Sequence, residues 1–188
     1  MLILSKFIGK GATRICFEHP LCSDKCVKVM ARSKNERQLF RELQVYSLVK
    51  GYLSEYLPRY EPRIVKTNLG KGLVCDLLRD DDGNCSQTLG SYLAAGAVDE
   101  ELIAQMWHFS YCLAEHDLFF YDFNLQNFVV QIKDGHKLLR YTDLKSYNNY
   151  KSWTFLKLEK VLIPLARQLM LHRIKRLFRT LGIDVSKA

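Results

Sequence analysis

The hydrophobic pattern of this chain changes its period near residue 34, and this change limits the folds that the chain can adopt. Before it, Leu2–Ile8, Arg14–Glu18 and Lys25–Met30 are short apolar or alternating segments that are typical of strands. From Lys34 to Leu53 the apolar residues recur at helical spacing. The chain must therefore combine an N-terminal sheet with a helix, so the sequence predicts an α+β fold.

Beyond residue 78 the pattern becomes mostly helical. We predict a compact bilobal arrangement: an N-lobe, residues 1–78, with an antiparallel sheet and one helix; a connector, residues 79–86; and a minimal helical C-lobe, residues 87–188. The elements expected in order are the strands Arg63–Thr67 and Leu73–Leu78, the helices Leu89–Ala95 and Asp99–Leu118, the hairpin Phe128–Ile132 with Leu138–Thr142, and a basic helix Trp153–Leu181 that Pro164 kinks or starts.

Composition excludes several classes of protein. The 188 residues are 48% hydrophobic and 26% charged, which argues against disordered and fibrous chains. No apolar stretch approaches ~18 residues, so we expect no membrane span. The N-terminus lacks the basic start and long apolar core of a signal peptide, which predicts a cytoplasmic protein. Of the six cysteines only Cys22 and Cys26 lie close together, so we expect reduced thiols and no structural metal.

Most of the net charge of +8 lies in residues 157–179. A solvated helix face explains such a run, and so does an anionic partner such as nucleic acid, an acidic membrane surface or a phosphorylated substrate. The basic residues are Lys157, Lys160, Arg167, Arg173, Lys175, Arg176 and Arg179, against the single acid Glu159.

Four residues of the N-terminal half come in an order suited to binding phosphate. Gly9 and Gly11 open a hairpin whose backbone amides can approach phosphate oxygens. Lys28 follows on the third strand, and Glu42 borders the inward face of the next helix, where its carboxylate can hold the lysine. The alternative is an exposed Lys28–Glu42 pair with little effect on stability.

Three polar residues of the C-terminal half complete the series. Asp122 and Asn127 are five positions apart, and Asp143 follows the second strand of the predicted hairpin. Phosphoryl transfer requires positioning and charge neutralisation, by a lysine and magnesium ions on the phosphates and an aspartate on the acceptor hydroxyl. Alternatively, Asp122 and Asn127 are turn residues and Asp143 caps the segment that follows.

This order of residues resembles the protein-kinase-like signature. The local sequence resembles the YrbL family, the PhoP regulatory network proteins, which are compact bacterial proteins with a protein-kinase-like fold. The resemblance runs from Ile8 to about Asp143, with an extension over Leu156–Ala166. The segments that carry it are Ile8-Gly9-Lys10-Gly11, Cys16-Phe17-Glu18-His19-Pro20, Cys26-Val27-Lys28-Val29, Arg41-Glu42-Leu43 and Leu125-Gln126-Asn127-Phe128.

The resemblance implies a role for each matching residue, with ATP and Mg²⁺ as cofactors. Gly9 and Gly11 correspond to the phosphate-covering loop, and Lys28 with Glu42 to the lysine–glutamate pair. In Val74-Cys75-Asp76-Leu77-Leu78, which resembles the hinge, the backbones of Asp76 and Leu78 would bind adenine. Asp122 would be the catalytic aspartate, and Asn127 with Asp143 would hold magnesium.

The chain departs from the kinase pattern at several positions. Phe120-Tyr121 replaces His-Arg before Asp122, Asn124 replaces a lysine or histidine, and Leu144-Lys145 replaces Phe-Gly after Asp143. Arg14 stands at the third loop glycine, where its side chain would either contact phosphate or obstruct it. No Ala-Pro-Glu motif follows, which favours a small molecule, sugar or glycan over a peptide as acceptor.

Two functions are therefore predicted. The first is an ATP- and magnesium-dependent phosphotransferase acting on an acceptor hydroxyl. The alternative is a pseudokinase-like regulatory module of a bacterial stress or envelope response network, which binds nucleotide or a protein partner without turnover.

Overall fold

The computed structural model describes residues 1–11, 13–31, 36–148 and 159–184. It is an α+β protein with an antiparallel N-terminal sheet and several helices. The chain divides into two compact units, Met1–Ser86 and Gln87–Ala188. Their boundary falls at the end of the segment 79–86, and the division into an N-lobe, a connector and a C-lobe stays a prediction.

The first unit contains a five-stranded antiparallel sheet in the order β1-β2-β3-β5-β4. Its elements are β1 (Phe7–Lys10), β2 (Arg14–His19), β3 (Cys22–Met30), α1 (Arg37–Leu53), β4 (Tyr60–Thr67) and β5 (Gly70–Asp76). The predicted first strand, Leu2–Ile8, is only partly confirmed, because Leu2 forms an isolated parallel bridge with Thr67 and β1 begins at Phe7.

The alternation of side chains along β3 separates a core face from a polar face. Val27 and Val29 pack with Leu4 and Val74 in a buried cluster on one face of the sheet. Successive strand residues point to opposite faces, so Lys28 points away from this cluster. The sheet thereby places a lysine on the opposite face.

The described residues of the second unit form a three-stranded sheet in the order β6-β7-β8 and three helices. Asp99 caps α3, since its Oδ1 accepts a hydrogen bond of 3.1 Å from the Leu102 N–H. The strand β6 was not predicted because two residues carry no periodic signal. The elements are β6 (Gln87–Thr88), α2 (Leu89–Ala94), α3 (Glu100–Glu115), β7 (Phe128–Lys133), β8 (His136–Tyr141) and α4 (Glu159–Thr180), with 3-10 turns at Leu125–Asn127 and Leu144–Ser146.

The expected basic helix is observed as α4, with Pro164 inside it. The part of the prediction that covers Trp153 lies outside the described residues. Across the described ranges, no helix has the length and apolar character needed to cross a membrane. All six cysteines are free thiols, and the described residues contain no cluster of three or more His, Cys, Asp or Glu side chains that could hold a metal.

Candidate functional site

The predicted site residues form two sets, one within each unit. In the first unit, the Lys28 ammonium lies 3.0 Å from Glu42 Oε1, which joins β3 to α1. Glu42 is fully buried and Lys28 is 8% exposed. The structure therefore brings this predicted pair together and excludes the alternative of an exposed pair.

Two further residues contact this pair. The Tyr60 hydroxyl, from the start of β4, donates to Glu42 Oε1 at 2.7 Å and accepts from Lys28 Nζ at 2.9 Å. The Arg14 guanidinium forms an ion pair with Glu42 Oε2. These contacts connect four residues into one group, which we call the buried charge cluster: Lys28, Glu42, Arg14 and Tyr60.

The cluster keeps its charges despite burial. Burial alone would raise the pKa of Glu42, but the adjacent Lys28 and Arg14 cations and the Tyr60 hydrogen bond outweigh it, so the pKa lies below its ordinary value. Burial alone would lower the pKa of Lys28, but Cys75, Glu42 and Tyr60 around it raise the pKa well above the ordinary value. Glutamate and lysine are both charged at neutral pH.

Sequence reasoning missed Tyr60 and gave Arg14 a different role. Arg14 was expected either to contact phosphate or to obstruct it, whereas the structure pairs it with Glu42. Its Nε and Nη2 are buried without a hydrogen-bond partner within the described part of the chain. In the register of β2 on β3, Cys16 lies opposite Lys28, and Arg14 is two residues before Cys16, so both cations lie on one face of the sheet. An alignment of the two predicted strands in this register would have shown it.

The glycine hairpin lies next to this cluster along the chain. Gly9 is in β1 opposite Cys16, and the Gly11 N–H donates to the Arg14 carbonyl at 2.9 Å, which closes the turn. A Cβ added at Gly9 would meet no atom within 4 Å. Among the described residues, packing therefore does not require glycine at position 9.

The predicted hinge residues lie at the end of β5, whose last residue is Asp76, and just after it. The Asp76 N–H donates to the Arg59 carbonyl at 2.8 Å, and the Leu78 carbonyl accepts from the Ser86 N–H at 3.0 Å. These backbone bonds fix the path of the chain where it leaves the sheet.

In the second unit, the β7–β8 hairpin brings Asn127 close to Asp143. The register pairs Phe128 with Tyr141, and the Thr142 N–H donates to the Asn127 carbonyl at 2.9 Å. Asp143 is the next residue, so both predicted magnesium ligands lie at the same end of the hairpin.

Hydrogen bonds to its backbone hold Asp122 beside them. Its carbonyl accepts from Asn127 Nδ2 at 3.1 Å and from the Tyr141 hydroxyl at 3.2 Å. Because these donors use the main chain, they leave the Asp122 carboxylate to other partners. The three predicted residues of this unit are thus brought together.

Asp143 is 7% exposed, and both oxygens of its carboxylate have a partner within the chain. Oδ1 accepts from the Lys145 N–H at 3.2 Å, which caps the 3-10 turn, and Oδ2 lies 3.2 Å from Lys145 Nζ. The capping alternative is therefore observed. It does not exclude metal binding, because a carboxylate has lone pairs for several partners.

Two residues of the basic helix contact the segment around Asp122. Arg173 Nη1 donates to the Tyr121 carbonyl at 2.5 Å, and its guanidinium lies 5.5 Å from the centre of the Tyr121 ring. Arg167 pairs with Asp117 at 2.6 Å. The basic segment is therefore not only a solvated helix face.

Comparison with known proteins gives the chain's relatives. The sequence profile of the family described as PhoP regulatory network protein YrbL matches residues 2–182. Two curated relatives, the uncharacterized protein YrbL of Escherichia coli (strain K12) and that of Shigella flexneri, are each 31% identical to it over 103 residues. The alignment covers 53% of this chain and 48% of each relative, so the chain spans about half the length of the curated relatives it matches. The chain belongs to the YrbL family of PhoP regulatory network proteins.

Proposed function

We propose that this protein is an ATP- and Mg²⁺-dependent phosphotransferase of protein-kinase-like fold that acts on an acceptor hydroxyl. The observation that carries the proposal is the buried Lys28–Glu42 pair, with 3.0 Å between Nζ and Oε1. Burying two charges costs several kcal/mol per ion before pairing, so a buried ion pair stabilises a fold little more than well-packed apolar residues of similar volume would. A lysine held in place for phosphate gives a reason for its presence.

The glycine hairpin supports the same proposal. A glycine that packing does not require still permits a phosphate to approach the backbone closely. Gly9 and Gly11 would cover the phosphates, and Lys28 would neutralise them. Adenine would bind to the Asp76 carbonyl and the Leu78 N–H. The Asp76 N–H and the Leu78 carbonyl have backbone partners within the chain, whereas the Asp76 carbonyl has a long contact of 3.8 Å from the Cys26 thiol.

The second unit supplies the remaining groups. Asn127 and Asp143 offer an amide oxygen and a carboxylate, which are oxygen donors of the kind Mg²⁺ prefers, and they would hold the metal. The metal would neutralise charge on the phosphates. Asp122 accepts the hydroxyl proton as the acceptor oxygen bonds to the γ-phosphorus and the bond from that phosphorus to the bridging oxygen breaks, which leaves ADP.

Nucleotide binding is the first test. We expect Mg²⁺ and ATP together, at ~100 times the dissociation constant, to raise the free energy of unfolding by ~2.7 kcal/mol. Both Lys28→Ala and Asp143→Asn should abolish the increase, which is measured by thermal unfolding. Lys133→Ala, an exposed lysine at the end of β7, serves as control. Unchanged stabilisation in both site variants would contradict the proposal.

Phosphate transfer is the second test. With a transferable acceptor, Asp122→Asn should lower the rate by about a hundredfold to ten-thousandfold, the usual contribution of a general base. Folding of the variant is checked by circular dichroism. A rate that is unchanged in Asp122→Asn would contradict the role of this residue.

The alternative is a regulatory module that binds nucleotide without turnover. The Lys145–Asp143 pair, at 3.2 Å, favours it, because a lysine on the metal-binding carboxylate competes with the metal. In that case ATP would stabilise the protein equally with and without Mg²⁺, and no phosphate transfer would occur. Lys145→Met tests the competition itself: removal of the lysine should strengthen the dependence of ATP binding on Mg²⁺.

A further inference from the structure

A cavity of about 390 Å³ lies within the second unit, between the segment after Phe120 and the C-terminal half of α4. Asp122 borders it on one side and Arg173 and Arg176 on the other. Thr180 and Leu177 complete the wall that α4 provides. The volume lies within the range of pockets that hold small molecules.

The packing of α4 fixes which residues face this cavity. Ile174 and Phe178 are buried, and the Phe178 ring stacks on Trp107 with 4.0 Å between ring centres. Arg173 and Arg176 are three residues apart and so lie on one side of the helix. The Arg173 contact with the Tyr121 carbonyl ties that side to the segment that carries Asp122.

The positive charges of the cavity come from α4, and the negative charge comes from the segment after Phe120. Its lining contains two guanidinium groups and one carboxylate, and its other lining residues are uncharged. Arginine presents a planar fork of donors that matches a phosphate or a carboxylate. A ligand with an anionic group at one end and a hydroxyl at the other satisfies both sides.

A neighbouring cavity of about 480 Å³ also borders Asp122 and Arg173. Its additional cation is Lys145, which is paired with Asp143. The first cavity is therefore the better site for an anion, because Arg176 supplies a second guanidinium there.

We propose that this cavity binds the acceptor, and that the acceptor is a small hydroxyl compound that carries a phosphate or carboxylate group. Arg173 and Arg176 bind the anionic group, and the Asp122 carboxylate accepts a hydrogen bond from the hydroxyl group. This inference rests on the proposed phosphotransferase function and adds the chemical class of its acceptor. Two of the seven basic residues in 157–179 thereby gain a specific role.

Ligand binding is measured without nucleotide, so that it is independent of the ATP site. Isothermal titration calorimetry measures the binding, because it needs no reporter group next to the cavity. The probes are inorganic phosphate, glucose 6-phosphate, gluconate and neutral glucose, with chloride at equal ionic strength as the reference. We expect binding of the anionic probes and none of glucose. The stronger of glucose 6-phosphate and gluconate identifies the anionic group.

The variants test the arginines directly. Arg176→Gln should weaken binding of the anionic probes by about tenfold or more, since hydrogen bonds to charged groups contribute ~1.5–3 kcal/mol and 1.4 kcal/mol is tenfold. Arg179→Gln, an exposed arginine of the same helix that does not line this cavity, should leave binding unchanged. Circular dichroism checks the fold of both variants.

Three results would overturn the inference: equal binding of glucose, equal losses in Arg176→Gln and Arg179→Gln, or no binding of any anionic probe. Equal losses would identify a diffuse basic surface for a polyanion. The Mg²⁺–ATP stabilisation is measured on the same variants and should persist in Arg176→Gln. Its absence in the wild type, with anion binding intact, would overturn the phosphotransferase and leave an anion site.

Discussion

The two units position their polar residues by different means. In the first, side chains hold one another: Glu42 is fully buried and contacts Lys28, Arg14 and the Tyr60 hydroxyl. In the second, the backbone carbonyl of Asp122 accepts the positioning hydrogen bonds, from Asn127 and Tyr141. The first arrangement couples site geometry to stability, whereas the second positions Asp122 through its main chain, so its side chain takes no part in these two bonds.

The largest expected effect is at Glu42. Glu42→Gln leaves two buried cations without an anion, so we expect the free energy of unfolding to fall by ~3–5 kcal/mol. Urea denaturation measures it. Glu61→Gln, which breaks the partly exposed pair with Lys25, is the control and should cost much less. Similar losses in the two variants would show that the buried charge cluster is no different from a surface pair.

The second prediction concerns pH. The pKa of Glu42 is lowered in the folded protein, so its contribution to stability is complete above its ordinary value of 4.5 and is lost as the pH falls through the lowered pKa. The difference in unfolding free energy between the wild type and Glu42→Gln should therefore be constant at neutral pH and shrink below about pH 4.5. Denaturation at a series of pH values measures it, and a difference that grows on acidification would contradict the lowered pKa.

The third and fourth predictions compare the same substitution in the two units. Tyr60→Phe removes hydroxyl hydrogen bonds to a carboxylate and an ammonium, with an expected loss of ~1.5–3 kcal/mol. Urea denaturation measures the loss. A loss below that of Tyr141→Phe would contradict the charged character of the first cluster.

Tyr141→Phe is expected to have the smallest effect on stability. Its hydroxyl bonds only neutral groups among the contacts described, the Asp122 carbonyl and Ser146 Oγ, so we expect a loss of ~0.5–1.5 kcal/mol. If the proposed function holds, the rate of phosphate transfer should fall more than stability suggests, because Asp122 loses a positioning bond. Parallel rate and denaturation measurements on this variant test it.

Much of the candidate site was predictable because its geometry is local. Strand alternation places Lys28 opposite the Val27 and Val29 face, and helical periodicity places Glu42 on the inward side of α1. A hairpin with a two-residue turn, Asp134-Gly135, both with positive φ, necessarily brings its two ends together, and with them Asn127 and Asp143.

Other parts of the site depended on contacts between residues distant in sequence. Tyr60 reaches Glu42 only because β4 packs beside α1, and Arg173 reaches Tyr121 across 52 positions of the chain. No periodic pattern encodes such a contact, since it depends on how completed elements pack. The sequence by itself determined the order of the elements, the faces of β3 and α1, and the ends of the hairpin, because these follow from backbone geometry over a few residues. Only the tertiary structure decided that Arg14 and Tyr60 join the buried charge cluster and that α4 brings two arginines to Asp122, because burial and side-chain packing select those partners.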